Sequence, residues 1–133
     1  MNKNKLLAAL SMSLLVTFNT QAQSPAVTNL LKDVSSVASG TEVMMSQVNI
    51  PANTRLPKHW HPGEEYVYIV SGSVTLWQEG KPDTLMTAGD AIKIPLKQIH
   101  TAITGAEPVS IVVFRVHEQG KPIRINVDEA PQQ

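Results

Sequence analysis

From Glu42 onward, apolar and polar positions alternate in short runs divided by turn residues, the pattern of β-strands with one buried face. The pattern predicts strands over Glu42–Ile50, Tyr66–Val70, Val74–Gln78, Thr84–Met86, Ala91–Ile94, Gln98–Ile103, Val109–Val116 and Ile123–Val127. Tyr66–Val70 and Val74–Gln78 flank Ser71-Gly72-Ser73 and read as a hairpin. Val109–Val116 is the longest apolar run and is expected at the centre of a sheet. Residues 24–40 differ: Val27, Leu30, Leu31 and Val34 fall at helical spacing, which predicts a short irregular or helical arm over 23–41. Eight or nine short strands without a long helix imply an all-β sandwich or closed barrel over 42–128, with a disordered tail at 129–133.

The N-terminus changes the picture of where this domain works. Lys3 and Lys5 precede an uncharged apolar run, Leu6–Phe18, and small residues follow at Thr20 and Ala22. That order is expected of a secretory signal peptide, residues 1–22, cleaved after Ala22. The 13-residue run is too short to span a bilayer as a helix. The expected location is periplasmic or secreted, with no membrane association after cleavage. The remaining chain keeps nine basic and eleven acidic residues and no basic stripe, so no nucleic-acid partner is expected. With no cysteine, disulfides, thiolate chemistry and iron–sulfur clusters are excluded, and stability must come from the core, a metal or dimerisation.

Candidate chemistry gathers on histidines. His59 and His61 share a face if their segment is extended, and Pro57 and Pro62 disfavour a helix there. Glu65 opens the strand Tyr66–Val70, and His100 lies in a later β-rich segment. Three imidazoles and a carboxylate suit one divalent transition metal, Mn, Fe, Co, Ni, Cu or Zn, and suit Ca or Mg poorly.

His59-Trp60-His61-Pro62-Gly63-Glu64-Glu65, with Gly72 seven residues on, resembles the first motif of the cupin family: His-x-His, three residues, Glu, six residues, Gly. Gly89, Pro95 and His100 fall at the spacings of the second. The resemblance covers roughly residues 42–118 and implies a single-domain cupin of the RmlC-like jelly-roll superfamily, in an exported bacterial form. Its fold would be a double-stranded β-helix barrel, and His59, His61, Glu65 and His100 would be the metal ligands. Three motif positions depart: Asn53 and Lys97 stand in place of glycines, and Thr104 in place of asparagine. The loop 95–99 is therefore expected to take a shape of its own.

The resemblance implies a small oxygenated metabolite as ligand or substrate. The activity would be that of a metal-dependent dioxygenase, decarboxylase, isomerase or lyase; the alternative is a non-catalytic periplasmic module that binds a small molecule or metal. Glu64, Arg115 and His117 are the candidate catalytic residues. Glu64 also reads as a solvated turn residue, and Arg115 with His117 as an exposed strand end. Trp77 and Met86 are expected in the core, and Tyr66 and Tyr68 on an outer face that would serve a homodimer or be covered by another segment.

Overall fold

A computed structural model describes residues 23–127, so the expected signal peptide and the tail lie outside the described residues. The chain forms ten strands: β1 (Ala26–Val34), β2 (Thr41–Ile50), β3 (His59–Trp60), β4 (Gly63–Ser71), β5 (Ser73–Gln78), β6 (Thr84–Thr87), β7 (Ala91–Ile94), β8 (His100–Ile103), β9 (Val109–Glu118) and β10 (Ile125–Asn126). They make two five-stranded sheets, in the orders β1-β2-β9-β4-β7 and β10-β3-β8-β5-β6, with every pairing antiparallel. The fold is the all-β double-stranded β-helix.

Alternation sorts each strand into an inner and an outer set. In β2 the inner set is Glu42, Met44, Ser46, Val48 and Ile50, all buried. In β9 it is Val109, Ile111, Val113, Arg115 and His117. Registers align these sets into cross-strand rows: Ile111 faces Val48 and Ile69, Val113 faces Ser46 and Val67, Arg115 faces Met44 and Glu65, and His117 faces Glu42 and Gly63. The apolar rows join Val74, Leu76, Met86 and Ile94 in one core. Each such fully buried aliphatic side chain contributes on the order of 1.5–3 kcal/mol through removal of its surface from water.

Three expectations are corrected. The arm at 26–34 is neither helical nor irregular; it is β1, paired along β2. Its apolar spacing looks helical because the register shifts between Asn29 and Leu31, a bulge that breaks the period of two. Pairing also satisfies the polar backbone edge that β2 would otherwise leave open. Trp77 is not core: it lies out of phase with buried Val74, Leu76 and Gln78, and its ring packs under the Lys58 ammonium, 4.3 Å from the centroid. Finally, the loop after Pro95 keeps the left-handed turn that its missing glycine would have served. Lys97 takes φ 59° there, and its backbone N–H donates to His61 O at 3.2 Å. Asn53 takes φ 52° at the other motif position. Thr104 holds that turn, its Oγ1 accepting from Thr54 N at 2.9 Å and donating to Pro51 O at 2.6 Å.

Candidate metal centre

The three-residue stretch His59-Trp60-His61 is short and extended, so both imidazoles enter the barrel while Trp60 pairs with Ile125 on β10. His100 opens β8 directly opposite His59. The ring centroids of His59, His61 and His100 lie 4.4–5.3 Å apart, and one ligand nitrogen from each falls within 4.8 Å of the others. All three side chains are buried. Glu65, on β4, reaches the same place: its Oε2 is 3.0 Å from His61 Nε2 and its Oε1 3.7 Å from His100 Nε2.

Each imidazole has its Nδ1 against a backbone carbonyl. His59 Nδ1 donates to Pro57 O at 2.8 Å, His61 Nδ1 to Ile123 O at 2.5 Å, and His100 Nδ1 to Gln98 O at 2.9 Å. A carbonyl only accepts, so Nδ1 carries a proton in each ring, and in the neutral form the lone pair of Nε2 turns inward. This outer bonding is the way proteins fix metal-ligating imidazoles. His61 Nε2 is buried without a hydrogen-bond partner; Glu65 Oε2 is close but out of line. A buried nitrogen lone pair with nothing to accept from is expensive unless a cation takes it. The residues present therefore fit a divalent transition metal, and the His59/His61/His100 cluster could hold one.

Electrostatics point the same way. Burial pushes the His59 pKa down to about 4, and the neighbouring His100 adds to the shift, so the ring is neutral and ready to ligate near pH 7. For Glu65, burial would raise the carboxyl. The Arg115 guanidinium works against it, and the carboxyl is held well below the usual range. Arg115 Nε donates to Glu65 Oε2 at 2.5 Å, across the β9–β4 register.

The centre sits in the wall of a cavity of about 510 Å³. Val48, Val67, Leu76, Met86, Ile111 and Val113 are among its walls, and Pro25, Val27, Ile123 and Arg124 also border it. Among the lining residues, Glu65 is the one carboxylate, and Arg115 and Arg124 are the two fixed cations.

The candidate catalytic residues part company. Glu64 stands on the outer face, bonded to Lys93 and accepting from Tyr66 Oη at 2.9 Å, which holds its carboxyl below the ordinary value. It is out of phase with Glu65 and cannot reach the cavity. Arg115 lines the cavity, and His117 is fully buried one row away; neither is the exposed strand end expected from the sequence. His117 Nδ1 donates to Glu118 O at 2.7 Å, and its Nε2 lies 3.3 Å from Glu42 Oε1. Glu42 also pairs with Lys32 Nζ at 3.3 Å. Gly63 leaves the room for this: a Cβ there would stand 2.1 Å from His117 Cβ. Glu42 went unnoticed in the sequence, although it shares the two-residue phase of Met44, Val48 and Ile50.

A cupin domain model matches residues 46–115. No curated protein matches the sequence. Among solved structures, the chain resembles the DMSP lyase DddQ of Ruegeria pomeroyi with TM-score 0.65 and 24% identity, over 77% of this chain and 51% of that one. It thus spans about half the length of that lyase. The polyketide cyclase RemF of Streptomyces resistomycificus gives TM-score 0.62 and 21% identity, over 80% of this chain and 73% of the cyclase. An RmlC-like cupin family protein of Methanocaldococcus jannaschii, with a double-stranded β-helix fold, gives 0.59 and 16%, over 77% and 88%. Identities this low speak for the fold alone.

Proposed function

This chain belongs to the cupin domain family, and on that premise we propose that it holds one divalent transition metal through His59, His61, His100 and Glu65 and binds or acts on a small oxygenated metabolite beside it. The observation that carries the reading is the set of three buried Nε2 lone pairs, each fixed by a carbonyl on the other side of its ring. Bound there, the metal supplies Lewis acidity toward an oxygen atom of a ligand. The protein's own part is to orient the imidazoles, to keep Glu65 ionised through Arg115, and to exclude water with aliphatic walls.

Turnover as a dioxygenase, decarboxylase, isomerase or lyase would add a proton-transfer group near the metal. The apolar walls favour the second reading instead, a module that captures its ligand without turnover. Glu64 faces outward, His117 lies one row away beside Glu42, and Arg115 is paired with Glu65. The order of charged, apolar and small residues over 1–22 supports export to the periplasm or beyond as a mature chain 23–133. We further propose a homodimer, supported by the exposed Tyr66, Tyr68 and Val70 on the outer sheet face. One experiment addresses these readings together: size exclusion with light scattering, followed by elemental analysis of the peak. The expected result is one transition-metal ion per protomer, a mass of two protomers, and loss of the metal in His100→Ala. Full metal content in that variant removes His100 from the ligand set, and a clean monomer removes the dimer.

A further inference from the structure

Resting on the metal reading above, we infer that the ligand of this cavity is a carboxylate or similar oxyanion carried on an apolar body, and that Arg115 is the residue that makes it so. Glu65 is the single carboxylate lining the cavity, and Arg115 already draws on it through Nε. Each imidazole spends its Nδ1–H on a carbonyl, so a metal held at Nε2 would meet three neutral ligands. Glu65 and Arg115 bring one charge of each sign. A divalent ion would add two positive charges to a compartment whose remaining walls are aliphatic.

Charges so enclosed require compensation, because the walls offer no solvation in exchange for water. Glu42, the other buried acid on the same sheet face, is paired with Lys32. The counter-charge has to arrive with the ligand. Arg115 sharpens the requirement. Without it, the three imidazoles, Glu65 and the ion would leave one positive charge; with it, two remain. A guanidinium is also suited by shape to a planar oxyanion. The aliphatic walls then select the rest of the molecule. A cavity of about 510 Å³ lies within the range that encloses small organic ligands, and a bare carboxylate such as acetate would leave most of it unfilled. Balance of charge and fit of the walls together specify an amphipathic acid.

The test is calorimetric titration of zinc-loaded full-length protein with hexanoate, hexanamide and acetate, zinc content being measured on the same sample. Hexanoate should bind roughly tenfold or more tighter than hexanamide, which lacks the charge, and than acetate, which lacks the body. Arg115→Met should lose most of the preference for hexanoate over hexanamide when the two ligands are compared on one zinc-loaded sample of the variant. Because that variant strands Glu65, Arg115→Lys is run beside it; retaining the positive charge, it should retain the preference. Hexanoate no tighter than hexanamide on a zinc-loaded sample overturns this inference and leaves the metal reading standing. Both Arg115 variants binding hexanoate like the parent removes Arg115 from the assignment. Failure to retain zinc overturns the metal reading, and the inference falls with it.

Discussion

The two ends of the inner face of β2, β9 and β4 are made by the same alternation and carry opposite contents. Toward Ile50, Val109 and Ile69 every inward position is aliphatic and the rows are sealed. Toward Glu42, His117 and Glu65 the same phase delivers acids, an arginine and a histidine, all buried or nearly so. Residue identity within one phase distinguishes the two ends. The aliphatic end supplies stability by removing surface from water. The polar end is tolerated because each charge meets a partner in the adjacent strand, and it supplies the chemistry.

If that division is right, a variant at one end should leave the other's property alone. Ile69→Ala, at a fully buried position, should cost about 2–5 kcal/mol in urea unfolding. The folded fraction should keep its full metal content. A loss of metal per folded molecule would show that the two ends are not separable.

A smaller effect is expected from acid. In metal-free protein, His59 has a pKa of about 4 in the fold against 6.5 in the unfolded chain. Between those values the unfolded state binds more protons, so stability rises with pH. It is fully present above about pH 6.5 and is lost as the pH falls toward 4, by up to about 3 kcal/mol for this one group. The depressed Glu65 carboxyl acts with the same sign. Urea midpoints of chelator-treated protein at pH 7 and pH 4.5 measure the loss, and His59→Gln should flatten it. An equal slope in that variant would assign the acid sensitivity elsewhere.

The smallest effect belongs to neither end. Lys97→Gly relieves a left-handed residue and should raise stability by about 1 kcal/mol or less, with metal content unchanged. A destabilised variant would mean that the lysine side chain contributes more than its backbone strain costs.

Most of the strands and the histidine cluster were legible because both depend on short-range regularities: a period of two, and ligand spacings punctuated by glycine and proline. What was not legible depends on residues distant in sequence. Arg115 read as an exposed strand end because its partner Glu65 is 50 positions away and visible only through the β9–β4 register. Glu42 and His117 were hidden for the same reason. Glu64 and Trp77 follow from alternation itself: each sits beside an inward residue, Glu65 or Leu76, and so faces out. The β1 bulge defeated periodicity itself.

The central claim is that three particular lone pairs converge on one point and the fourth histidine's does not. Long-range ¹H–¹⁵N correlation spectra of the imidazoles during zinc titration test it directly. In metal-free protein near pH 7, Nε2 of His59, His61 and His100 should be the unprotonated nitrogen. All three should shift together and saturate at one equivalent, while His117 stays in place. Fewer than three rings responding, or His117 moving with them, would contradict the account.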